Sequence, residues 1–165
     1  MPNVQTNGVT IEYEVFGPED GPAILLIMGL GCQLTRWPLP FIEKLTARGF
    51  RVIRFDNRDV GLSTHFHDAG RPDIGQIAAV AWAGGKPNAP YTLDDMADDA
   101  VGLLDHLKID RAHLVGVSMG GMIAQTIALN RPERVLSLTS IMSTTGEIHL
   151  PGPTPEAAAV LVTPY

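Results

Sequence analysis

The sequence has a single cysteine, Cys32. It has no internal partner for a disulfide, so nothing ties the chain to an oxidising compartment. Aromatic residues make up only 6% of the chain, so a core must rest on Leu, Ile, Val, Ala and Met. Long apolar runs are missing: the longest, residues 23–30, is far too short to cross a bilayer. Residues 1–10 are polar, without the positive and then apolar segments of a signal peptide. Basic runs are missing too, and the net charge is −6. That argues against nucleic acid as a partner, since phosphate binding needs clustered Lys and Arg. No internal repeat or low-complexity tract is present. The expectation is a soluble, cytoplasmic protein without membrane association.

What is present is an ordinary globular balance, 45% hydrophobic and 18% charged, in 165 residues that suit one core. Residues 9–15 alternate as Val-Thr-Ile-Glu-Tyr-Glu-Val, the period of a half-buried strand. Asn7-Gly8 before them is a strong hairpin signal, which makes residues 4–6 the partner strand. Residues 23–28 are continuously apolar, as in a strand buried on both faces. Residues 37–48 read as a helix closed by Gly49, and residues 51–56 as a short strand. Residues 57–91 are rich in Gly, Pro, His and Asp and long for a plain loop. Thr92 opens a helix, with Asp95 placed for a capping box, and Leu93, Met96, Ala97, Ala100, Leu104 and Leu107 share one apolar face. Residues 112–117 read as a strand, 120–130 as a helix and 135–142 as a further strand. Strands alternating with helices predict a doubly wound, mostly parallel α/β sheet with an N-terminal antiparallel hairpin.

The chemistry concentrates at Gly116-Val117-Ser118-Met119-Gly120, a G-x-S-x-G run between an apolar strand and a helix. In that context a serine sits on a sharp turn with its hydroxyl beyond the sheet edge, and small neighbours let strand and helix approach. A dinucleotide site is the competing reading, but its G-x-G-x-x-G spacing is absent, and residues 135–142 carry no acid. The second signal is Ile27-Met28-Gly29-Leu30-Gly31, directly after the first buried strand. The backbone N–H groups of Leu30 and Met119 are the candidate oxyanion hole for Ser118.

These two motifs, with Arg54-Phe-Asp56-Asn-Arg58-Asp-Val-Gly61-Leu-Ser63, resemble the α/β-hydrolase superfamily, serine esterase type. The third segment is similar to the family's Asp-x-Arg-Gly-x-Gly-x-Ser turn, with Asp59 where Gly is usual. The resemblance spans residues 4 to about 142. It implies an eight-stranded sheet, a cap inserted after strand six, and Ser-Asp-His catalysis of a small carboxylic ester without metal or cofactor. Asp56 and Arg58 are expected to form an ion pair that shapes their turn.

The rest of that machinery is not evident. After Ser118 there is no Asp, the acids are Glu133, Glu147 and Glu156, and the one histidine is His149. The family order is Ser, then acid, then His, so both partners are expected beyond Tyr165. His65 and His67 form an H-x-H pair without a third ligand and read as surface loop residues, not a metal site. His106 and His113 lie away from the expected site. Residues 1–142 are therefore read as the N-terminal part of the hydrolase core, truncated after about strand six. Residues 143–165 are read as the start of a cap or linker, ordered or disordered. Leu136, Leu138, Ile141 and Met142 would lie uncovered on an open edge, so self-association or a second chain completing the sheet is expected. Trp37, Trp82, Phe66 and Met119 are candidate pocket walls or ordinary packing. A truncated, non-catalytic remnant or binding module is the alternative to an enzyme.

Overall fold

Asn7 and Gly8 both adopt positive φ, 47° and 77°, which is what a two-residue hairpin turn between right-twisted strands requires. They join β1 (Asn3–Thr6) to β2 (Val9–Phe16) with Thr6 opposite Val9. The computed structural model describes residues 1–162 except 71, 72, 74, 75, 78, 81, 82, 148 and 153. Four further strands follow: β3 (Ala23–Ile27), β4 (Arg51–Phe55), β5 (Ala112–Val117) and β6 (Val135–Ile141). The sheet order is β1-β2-β4-β3-β5-β6, antiparallel at the hairpin end and parallel from β4 onward.

The helices include α1 (Leu39–Thr46), α2 (Leu93–His106), α3 (Met119–Asn130) and α4 (Pro155–Val162). Alternate residues of the central strands feed two cores. Leu25, Ile27, Ile53, Phe55 and Leu114 join the α2 and α3 side. Ile24, Leu26 and Val52 join the α1 side with Trp37 and Ile42. Strands buried on both faces are why β3 reads as an unbroken apolar run.

The helix expected over residues 37–48 is shorter than its pattern. A 3₁₀ turn (Leu34–Arg36) precedes it, and Trp37 is extended, at ψ 103°. Pro38 disfavours the helical region for the residue before it, so α1 starts only at Leu39. Trp37 is thereby pushed inward, stacks on Phe41 and is core rather than a pocket wall. Small boundary changes matter more. β3 stops at Ile27, leaving Met28 to open the next loop, and α3 starts at Met119, directly after Ser118.

At α2 the capping box is complete. Thr92 accepts from the Asp95 N–H, and the Asp95 carboxylate accepts from the Thr92 N–H at 2.7 Å. These bonds from Thr92 hold the Asp95 carboxyl below its ordinary range. Leu93, assigned to the apolar face, is exposed, because the first turn projects beyond the core.

The same helix carries a buried acid at Asp99. Its carboxylate accepts two hydrogen bonds of 2.7 Å from Arg58, and Asn7 of the hairpin turn adds a third. The expected Asp56–Arg58 ion pair does not form, because Arg58 points at α2 while Asp56 points at backbone. Burial works against the Arg58 charge, but Asp99, with Asp95 nearby, outweighs it and raises the guanidinium pKa. Arg58 also lies over the rings of Phe66 and Tyr91. One ion pair thus ties the hairpin, the segment after β4 and α2 together.

β6 is the far edge of the sheet, and Leu136, Leu138 and Ile141 are each about two fifths exposed. Its seven residues carry no charge to discourage pairing with another chain. Two outcomes are expected. Asp99→Ala, which strands a buried guanidinium, should lower stability by about 3–5 kcal/mol in urea titration. In sedimentation velocity the 165-residue chain should run as an oligomer, and Leu138→Lys should shift it toward monomer.

Candidate active site

Ser118 follows β5 and occupies the N-cap position of α3, at φ 54° and ψ −123°. A non-glycine residue there is strained by about 1–3 kcal/mol. The conformation persists because three elements converge on it. A Cβ at Gly116 would collide with the backbone of Gly120. A Cβ at Gly120 would collide with the Ile27 carbonyl and lie 2.8 Å from that of Met28. A Cβ at Gly121 would lie 2.6 Å from Ser143. The Ser118 N–H donates to the Ile141 carbonyl at 2.9 Å, which ties the turn to β6.

The Ser118 side chain makes no capping hydrogen bond and is exposed, so its hydroxyl is free to meet a ligand. Its carbonyl accepts from Gly121 and Met122, the first closing bonds of α3. The Met119 N–H belongs to the first turn of α3, where N–H groups lack partners within the helix and the dipole favours negative charge.

The β3–α1 loop passes directly over this turn. A Cβ at Gly29 would lie 3.1 Å from the Ser118 Cβ and 3.6 Å from its Oγ. The Cys32 N–H donates to the Gly29 carbonyl at 3.2 Å, closing a turn around Leu30 and Gly31. Leu30 is 78% exposed, and its N–H donates to no group among the described residues. The end of β4 holds this loop from below. Asn57 Nδ2 donates to the Met28 carbonyl at 3.0 Å, and the Leu34 N–H donates to Asp56 Oδ1 at 2.7 Å. Asp56 Oδ2 also accepts from the Leu62 N–H, so this carboxylate organises two loops.

Among the described residues no histidine ring bonds Ser118. His65 and His67 are exposed and stacked on each other, with His65 on the Gly61 carbonyl. His106 packs edge-on against Tyr13 at the end of α2. His113 bonds Ser137 at the opposite end of β5 from Ser118. His149 is exposed. No group of three metal-ligating side chains occurs among the described residues.

A cavity of about 1070 Å3 lies away from Ser118, along the segment after β4. Asp59, Phe66 and Tyr91 are among the residues that line it. Burial and a hydrogen bond to Asp59 raise the Tyr91 phenol to about 12. Of the other candidate walls, Met119 packs partly on the main core, and Trp82 lies outside the described residues. The sequence reading passed over Asp99 and Asn57. Asp99 interrupts an apolar face, and Asn57 lies just past the C-terminal end of β4, the place where sites of open α/β sheets gather.

The alpha/beta hydrolase fold family matches residues 22–162, and the chain belongs to that family. Rhodomycin D methylesterase DauP of Streptomyces sp. strain C5 is 38% identical over 135 residues, 81% of this chain and 39% of DauP. 3-Oxoadipate enol-lactonase 2 of Acinetobacter baylyi is 32% identical over 129 residues, 76% of this chain and 39% of the lactonase. The crystal structure of the enol-lactonase from Burkholderia xenovorans LB400 superposes with a TM-score of 0.63 at 31% identity, covering 81% of this chain and 44% of that one. The chain spans about two fifths of the length of such curated relatives.

The close approach at the turn gives a direct test. Gly120→Ala should unfold the chain or lower its melting temperature by more than about 10 °C in circular dichroism, since its methyl meets rigid backbone. Gly31→Ala, whose Cβ would meet open space, should cost only the strain of its positive φ.

Proposed function

We propose that this chain carries the nucleophile and the oxyanion hole of a serine hydrolase that acts on carboxylic esters. The observation that carries the reading is Ser118 itself: strained, exposed, uncapped and set at the N-terminus of α3. Its Oγ attacks the ester carbonyl and a C–O bond forms. The carbonyl oxygen becomes an oxyanion held by the Leu30 and Met119 N–H groups. The serine proton passes to a histidine held by an acid, which returns it to the departing alcohol. Water then releases the acid from the acyl-serine by the same route. Neither a metal nor a cofactor is needed for these steps.

The histidine and the acid are not supplied by the described residues. In this reading residues 1–142 are the N-terminal part of a hydrolase core, and residues 143–165 begin a cap or linker. The reading therefore requires a histidine and an acid from outside the described residues, a second chain across the β6 edge being one source. A small, mostly apolar ester is favoured by the exposed Leu30 beside the serine and by the methylesterase and lactonase names of the relatives. The second reading, a non-catalytic remnant or binding module, is favoured by the absence of any histidine bonded to Ser118 among the described residues.

Hydrolysis of p-nitrophenyl acetate, with added imidazole standing in for the base, separates the two. The expected result is a slow hydrolysis that imidazole accelerates beyond its protein-free background rate in the native chain and not in Ser118→Ala. Equal rates at every imidazole concentration would favour the remnant. Fast turnover without imidazole, lost in Ser118→Ala, would instead reveal a resident base.

A further inference from the structure

We infer that Asn57 is a positioning residue for the oxyanion loop, acting with Asp56 as a clamp at the end of β4; the inference rests on the assignment of Leu30 as an oxyanion donor. The loop begins at Met28 and re-enters regular structure at Leu34. Two consecutive residues of one neighbouring strand end grip both ends of it. Asn57 Nδ2 donates to the Met28 carbonyl at 3.0 Å, and Asp56 Oδ1 accepts from the Leu34 N–H at 2.7 Å. Between the two grips the chain carries only one backbone bond of its own, from the Cys32 N–H to the Gly29 carbonyl.

The Met28 carbonyl is buried and lies past the last ladder position of β3, so it must find a donor or go unpaired. It also faces Gly120, where a Cβ would lie only 2.8 Å away. Fixing this one carbonyl therefore fixes the peptide plane that precedes Gly29, over Ser118. With Gly29 against the Ser118 side chain, the direction of the next N–H, that of Leu30, follows from the same anchor.

Asn57 is 1% exposed, and its Oδ1 is buried without a hydrogen-bond partner among the described residues. An orphaned buried acceptor costs about 1–3 kcal/mol. Only the donor half of the amide is used, and it is used on the loop. An apolar side chain would fill the same space without the orphan. The geometry thus fits an amide held for what its Nδ2 positions. Oxyanion stabilisation depends on donors that are already in place when charge develops, so a loosened Leu30 loses rate rather than affinity.

The test compares the native chain with Asn57→Leu, which keeps apolar bulk, and Asn57→Asp, which keeps shape but removes the donor. The primary readout is residue-resolved NMR. The Cys32 and Leu34 amides should exchange at least tenfold faster in both variants, while strand amides such as Leu25 and Ile53 stay within twofold. The Leu30 order parameter should fall from about 0.85 toward 0.6 or below. Unchanged loop exchange, or a rise shared equally by the strands, would overturn the clamp. If Asn57→Leu does not fold, Asn57→Asp carries the measurement alone. The second readout is the imidazole-stimulated ester hydrolysis that depends on Ser118. It should fall at least tenfold in Asn57→Asp with KM unchanged, and a raised KM at constant kcat would contradict positioning. Should Ser118→Ala leave hydrolysis unaltered, the serine reading falls, while the exchange data still decide whether Asn57 holds the loop.

Discussion

Everything at the candidate site depends on one close approach of backbone to backbone. The end of β3, the end of β5 and the start of α3 meet where Gly116 touches Gly120 and Gly120 touches the Ile27 carbonyl. Any side chain there would push the three elements apart. Because they meet so tightly, the residue between β5 and α3 has no ordinary conformation available, and Ser118 takes positive φ. The strain is local and its support is global: the converging segments are anchored in the apolar core through Ile27, Leu114, Ile123 and Ala124.

A second layer sets what surrounds the serine. Polar groups at and just past the end of β4 are buried and committed to three neighbours. Arg54 reaches Glu14 and the Trp37 carbonyl, Asp56 and Asn57 reach the β3–α1 loop, and Arg58 reaches Asp99 on α2. Buried polar groups of this kind must be paired to be tolerated, so they hold loops in one arrangement rather than several. The opposite side of the sheet is different in character. β6 contributes its backbone to the Ser118 turn but leaves its own side chains uncovered.

Much of this was legible in the sequence. Asn7-Gly8 marked the hairpin, the apolar run of β3 marked a central parallel strand, and the glycines around Ser118 marked the turn, because each signal is local and has one physical cause. Thr92 and Asp95 formed the expected capping box for the same reason. The helix before β4 was overextended because Pro38 acts on the residue ahead of it, and an apolar pattern does not register that. The Arg58 partner was misassigned because proximity in sequence favoured Asp56, whereas Asp99 is brought to Arg58 only by the packing of α2. Asn57 was passed over for a related reason. Its role exists only in the contact with Met28, 29 residues away in the chain.

The most direct measurement of the central claim is a crystal structure of the 165-residue chain after reaction with a p-nitrophenyl alkylphosphonate, whose adduct mimics the tetrahedral intermediate. The account predicts phosphorus bonded to Ser118 Oγ, with the phosphonyl oxygen about 2.7–3.1 Å from the N–H groups of both Leu30 and Met119. Phosphorus on another residue, or an adduct on Ser118 whose oxygen turns away from those two N–H groups, would contradict it.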